Sequence, residues 1–346
     1  MTSSGAEVST DTMITAFPNP GTVVKEIWTD WDTLVGDAER MQSDQPFWIS
    51  KTFLFNMMLP AIIGTAVACT AMYLISYYVL VDRIFPKEDM STTERKSRAA
   101  AQLTNMLFNS IIGSLGIYYE FWVLPTLSTY YIVMGRGDNM DTTTVATHLD
   151  RIPGHEEYFY LVSAMQFGYQ CWAFPMGILV IKEPFEMILH HLAVVVASTL
   201  SGFTNFGFRY YTPYFYGIME LSSVPLAIMN AFKDSPTLMK RHPVGYLVAR
   251  AVFSFGFLHV RIVMWYTRGP MFLRDLFFVA YTLQRNWTQK LFMFSAWVGC
   301  MVLGVLIHWW AYLVLKGQFS WFKKFFQTIF RNLTSSTKDG NKTKKI

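Results

Sequence analysis

Apolar runs of about twenty residues, divided by short polar stretches, set the pattern of this chain. They fall at roughly 53–81, 105–134, 158–181, 185–203, 210–231, 244–268 and 290–316. A helix rises about 1.5 Å per residue, so about 20 apolar residues cross a hydrocarbon core about 30 Å thick. Lipid offers the backbone no hydrogen-bond partners, which leaves only helices and closed barrels as spanning structures. These runs far exceed the roughly ten-residue strands of a barrel. The pattern therefore predicts an all-α polytopic membrane protein with about seven transmembrane helices. Pro125 and Pro225, inside two of the runs, are expected to kink their helices by removing a backbone donor. The stretch 271–285 is apolar but short and carries Arg274 and Asp275, so it reads as an interfacial or re-entrant helix.

The polar segments divide the chain further. Residues 1–52 form an acidic arm, read as mobile or loosely docked. Its Trp28, Trp31, Phe47 and Trp48 suit a membrane interface, where amphipathic rings are favoured. The tail 317–346 is basic, and after Leu333 it turns to Ser, Thr, Asn, Gly and Lys, a composition that cannot bury a core. Positive residues mark the cytosolic side of a membrane protein. The loop 82–104 carries Arg83, Lys87, Arg95, Lys96 and Arg98; the loop 232–243 carries Lys233, Lys240 and Arg241; the tail adds more. These segments alternate with poorer ones. Seven spans with a lumenal N-terminus and a cytosolic C-terminus fit that alternation.

Composition agrees and excludes several classes. The chain has 346 residues, 52% of them hydrophobic and only 15% charged, too apolar for an ordinary soluble domain. The net charge of +5 is accounted for by residues flanking spans, with no nucleic-acid partner required. Cys69, Cys171 and Cys300 lie far apart in apolar runs and suggest neither a zinc site nor a disulfide framework. There is no HExxH helix, P-loop or GxSxG elbow. A membrane di-iron site needs more imidazoles than the 7 histidines present. No metal and no cofactor are expected.

The candidate chemistry lies in ionisable groups inside the apolar runs, which are costly in lipid and by default functional. They are Glu120, Glu186, His190, His191, Glu220, Arg250, His259, Arg261 and His308, joined by the uncharged Gln166, Gln170 and Asn230. Such a set is expected to converge on an interior cavity. Glu186 and His190 are four residues apart and share a helix face, with His191 about 100° further round. That spacing fits either a packing hydrogen bond or a base with its orienting carboxylate. Arg250 and Arg261, eleven apart, also share a face, and are expected to pair with Glu120 or Glu220.

The stretch Lys182–Leu200 (KEPFEMILHHLAVVVASTL), followed by Tyr216–Asn230 (YGIMELSSVPLAIMN), resembles the TLC domain family, which includes translocation-associated membrane proteins, ceramide synthases and non-synthase lipid-homeostasis proteins. The resemblance covers about residues 100–316 and leaves 53–81 as an additional first helix. It implies six helices in a barrel around a lipid cavity, in the endoplasmic reticulum or a related membrane, where a membrane lipid or acyl-CoA is bound. In ceramide synthases the paired histidines serve acyl transfer to a sphingoid amine; the matching positions here are His190 and His191, with Glu186 as the accompanying carboxylate. Glu120, Glu220, Ser222, Arg250, His259 and Arg261 are then the polar lining of the cavity. Where synthases carry His-Asp-x-Ser-Asp, this chain has Met219, Glu220, Leu221, Ser222 and Ser223, a run closer to the non-synthase members. An acyl-CoA-dependent N-acyltransferase is the alternative to a lipid-handling protein without turnover. The C-terminus, Lys342-Thr343-Lys344-Lys345-Ile346, fits a dilysine retrieval signal through Lys342 and Lys344, which implies coat proteins as partners.

Overall fold

The computed structural model describes residues 47–123, 157–205, 208, 211–282 and 286–339. Pro125, Trp28, Trp31, Lys342 and Lys344 lie outside the described residues. Helix α1 is Lys51–Ile84. Helix α2 is Thr93–Tyr118, continued by a π turn over Tyr119–Val123. Helix α3 is Glu157–Met176, continued by a π turn over Gly177–Ile181, and α4 is Phe185–Phe203. Helix α5 is Pro213–Asp234, α6 is the short Pro236–Arg241, α7 is Pro243–Tyr281 and α8 is Trp287–Asp339. Among the described residues five of these (α1, α4, α5, α7 and α8) are long and apolar enough to cross a membrane. Helices α2 and α3 are as long but carry more polar residues, and they pack between the others.

The helices close into a ring. In order, α2, α3, α4, α8, α7 and α5 each touch the next, and α5 returns to α2; α1 stands outside, against α3 and α2. The ring's outer face is apolar, with Val252, Phe255, Val298 and Val305 exposed, as are Ile63 and Val67 on α1. Since lipid tails are as apolar as these side chains, the seams depend on close packing of small residues. A Cβ on Gly116 of α2 would lie 2.5 Å from Gly217 Cα of α5, and one on Gly168 of α3 would lie 2.4 Å from the Ile62 carbonyl oxygen of α1. Glycine at these positions lets the backbones meet.

Two local features depart from the sequence expectation and a third follows it. The stretch 271–285 is not a separate helix: its described part, to Thr282, continues α7 without a break. Asp275 is tolerated there because the Tyr211 hydroxyl donates to it at 2.6 Å. The end of the arm is docked rather than loose. Residues 47–49 run antiparallel to 203–205, with Ile49 N donating to Phe203 O at 3.2 Å and Asn205 N to Phe47 O at 3.0 Å. Phe47 is buried against Phe292 and only Trp48 is exposed. Pro225 acts as expected. Helix α5 breaks at Ser222, just upstream of the proline.

At the opposite end from the docked arm, the polar loop after α1 is clamped to α6. Asp89, buried, accepts from the Ser235 hydroxyl, and from Thr237 N and Thr237 Oγ1 at 3.0 Å each. Burial pushes the Asp89 carboxyl up, but these hydrogen bonds outweigh it and hold the carboxyl below its ordinary value. A depressed folded-state value means the stabilisation is complete above the unfolded carboxylate pKa of about 4 and is lost as pH falls through the folded one. Asp89→Ala strands three donors and is expected to cost on the order of 1–2 kcal/mol at neutral pH. In thermal unfolding of the detergent-solubilised protein, the gap between variant and wild type should close on acidification below that value. A gap unchanged at low pH would show that the clamp does not act through the ionised carboxylate.

Candidate functional site

The connection between α3 and α4 is only Lys182–Pro184 long, and it reverses the chain because Lys182 adopts the left-handed conformation (φ 55°). Glu183 N then donates to Gly177 O at 2.9 Å, and its carboxylate folds back over Gly177, where any Cβ would meet Oε2 at 2.6 Å. This geometry aims Glu183 at the paired histidines. Glu183 Oε2 lies 3.0 Å from His191 Nε2, and Gln170 Oε1 of α3 lies 2.7 Å from His191 Nδ1. His191 is thus held at both ring nitrogens, 6% exposed, and it ties α3 to α4.

His190, one residue earlier, turns to the interior of the ring. It lines two adjoining spaces at once. Its ring meets Trp310 of α8 edge-on at 5.3 Å, and its buried Nδ1 has no hydrogen-bond partner among the described residues. The inner space, about 70 Å³, is narrow and walled mainly by apolar residues such as Val194, Leu200, Phe215, Phe272 and Leu303. The outer space, about 780 Å³, opens between the ends of α3, α5, α7 and α8 and is more polar. Arg98, Lys182, Lys233 and Arg250 line it, against Glu183 and Asp234. An apolar slot leading from a positively charged vestibule is complementary to an amphiphile with a polar or anionic head.

Arg261 stands with His190 where the two spaces meet, lining both. It sits on a π turn, His259–Val263, within α7. π turns widen a helix and recur at functional sites. A guanidinium in this setting needs partners, and the broken α5 supplies them. Arg261 Nε donates to Ser222 Oγ at 2.8 Å and Nη2 to Ser223 Oγ at 3.1 Å, with Glu220 Oε2 at 3.6 Å. Ser223 in turn donates to Glu220 Oε2 at 2.9 Å.

The expected lining is therefore brought together in part. His190, Glu220, Ser222, Arg250 and Arg261 border the two spaces. Glu186 does not meet His190: it is exposed in the first turn of α4, and the carboxylate at the histidines is Glu183, on His191. His259 faces outward, stacked on Phe255 at 5.9 Å. Two residues from Arg261 is about 200° round a helix, so the two could not share a face. Glu120 is buried but lines neither space; it pairs with Arg268 of α7, whose guanidinium also lies 5.2 Å over the Tyr214 ring. His308 is occupied by Tyr266 Oη at 2.9 Å and Gly304 O at 2.7 Å. Among the described residues no three His, Cys, Asp or Glu gather into a metal-binding group. Glu183 and Arg268 were overlooked because both lie at span edges; the three-residue turn before α4 was the available signal for Glu183.

The profile of the TLC domain matches residues 98–316, which is the ring of six helices with α1 left outside. The chain belongs to the TLC domain family. No curated protein and no solved structure matches it. Within the TLC domain the paired histidines differ in environment, one fastened between two side chains and the other bordering the cavity.

Proposed function

We propose that this TLC-domain protein handles an acyl lipid in lipid homeostasis, binding it with the chain in the inner space and the head in the vestibule. The observation that carries the reading is the junction at His190 and Arg261, where an apolar slot meets a basic, polar chamber. The basic end of the ring matches the positive segments that mark the cytosolic side, so the vestibule opens to the cytosol and the docked arm lies in the lumen. The family's endoplasmic-reticulum members, together with Lys342 and Lys344 in the basic tail, support that membrane as the location. Glycans on the tail sequons at Asn332 or Asn341 in microsomes would contradict that orientation.

A second reading, N-acyl transfer from acyl-CoA in the manner of ceramide synthases, is favoured by the basic vestibule, which suits a phosphorylated head. Acyl transfer by a histidine base calls for a group that orients the imidazole. The oriented histidine is His191, which borders neither space, while His190 on the cavity meets the rings of Trp310 and His191 and has no carboxylate bonded to it among the described residues. Together with Glu220-Leu221-Ser222-Ser223 in place of the synthase segment, this favours binding without turnover and the non-synthase branch.

Both readings are tested on purified protein. Under the binding reading, His190→Ala lowers the amount of co-purifying acyl lipid by about tenfold, the order of one buried hydrogen bond left unmade. Wild type incubated with acyl-CoA and a long-chain amine then forms no amide. Amide formation abolished by His190→Ala would establish the transferase reading instead, and an unchanged lipid complement with no turnover would refute both.

A further inference from the structure

The inner space has polar residues along its wall, and nearly all are satisfied by neighbouring protein groups. Glu220 and Arg261 hold each other through the two serines. Ser201 bonds Tyr216 Oη at 3.0 Å and accepts from Ser163 at 3.1 Å. Tyr211 donates to Asp275 at 2.6 Å, and Thr212 donates to Phe208 O at 3.3 Å. Gln166 differs. It lines the inner space from α3, is 1% exposed, and neither its Oε1 nor its Nε2 has a hydrogen-bond partner among the described residues.

A carboxamide buried with both ends unmatched carries a penalty of about 1–3 kcal/mol for each polar group stranded, and an apolar residue of similar size would avoid it. A small hydrophobe would serve packing better. Gln166 lies one turn from Gln170, the residue at His191 Nδ1, so it is displaced by about 6 Å along α3 from the level of the histidines. Ser163, nearly a turn further, is at the level of Ser201. The unmatched amide thus stands between the junction and the hydroxyl layer, a short way into the apolar slot.

Resting on the cavity reading above, we propose that Gln166 is a specificity residue. The lipid bound here carries a second hydrogen-bonding group, a hydroxyl or carbonyl a few carbon atoms along the chain from its head, and Gln166 pairs with it. The head meets His190 and Arg261, the second group meets the amide, and the unsubstituted remainder fills the apolar part. A chain without that group leaves the amide stranded and binds more weakly. Because a primary amide both donates and accepts, a hydroxyl can satisfy it in either sense.

The test uses the full-length protein in detergent, carrying a fluorescent fatty-acid probe, with displacement by palmitate and by a positional series of hydroxypalmitates. One isomer with its hydroxyl near the head should displace the probe about tenfold better than palmitate, a ratio matching one buried hydrogen bond. Isomers hydroxylated near the methyl end should gain nothing. In Gln166→Leu that advantage should vanish and palmitate should compete at least as well as in wild type; Gln166→Met serves the same purpose should the leucine variant fail to fold. Equal competition by palmitate and every isomer in wild type would overturn the role of Gln166 while leaving the acyl cavity standing. No displacement by any of them would overturn the cavity reading and this inference with it.

Discussion

A charge placed among helices in lipid must find its partner inside the protein, and that requirement organises this structure. Arg261 is the central case. Its guanidinium is 5% exposed and takes Ser222, Ser223 and Glu220 from α5. Those groups are available because α5 breaks at Ser222, upstream of Pro225. Removing one member of such a buried set leaves the others uncompensated, at a cost far above the value of any one bond. Other pairs repeat the device at other seams: Glu120 with Arg268 joins α2 to α7, and Gln170 and Glu183 on His191 join α3 and its exit turn to α4.

With the seams satisfied in this way, the interior separates into two regions of different character. The charges concentrate toward one end, where Arg98, Lys182, Lys233 and Arg250 face the vestibule, and the other region is left apolar. The seam between α2 and α5 closes tightly through Gly116 and Gly217, while the interior of the ring retains a slot. Among the described residues, His190 and Gln166 are the slot-lining side chains with buried atoms that no protein group partners.

Much of the fold was legible from hydropathy alone, since long apolar runs in lipid have few alternatives. The fourth span, 185–203, coincides with α4, and the paired histidines were found by their presence in it. What was not legible depended on breaks in helical periodicity. Glu186 looked like the partner of the histidines because four residues bring side chains together within one helix. The actual partner, Glu183, precedes the helix and arrives through the left-handed turn at Lys182, which no helical wheel includes. His259 was grouped with Arg261 by chemistry although the intervening residue count sends them to opposite faces. The stretch 271–285 was set apart because it is short and charged, yet a hydroxyl from Tyr211, more than sixty residues away in sequence, bonds Asp275, and the described part continues α7.

Under the proposed function the acyl chain lies inside the ring and not on its outer face. Photocrosslinking in native membranes decides this directly, using a fatty acid with a diazirine near its methyl end and mass spectrometry of the labelled peptides. Labels are expected on slot residues such as Val194, Leu200, Phe215 and Leu303, suppressed by Arg261→Met. Labels confined to outward-facing positions such as Val252, Phe255 and Val305, unaffected by that substitution, would contradict it.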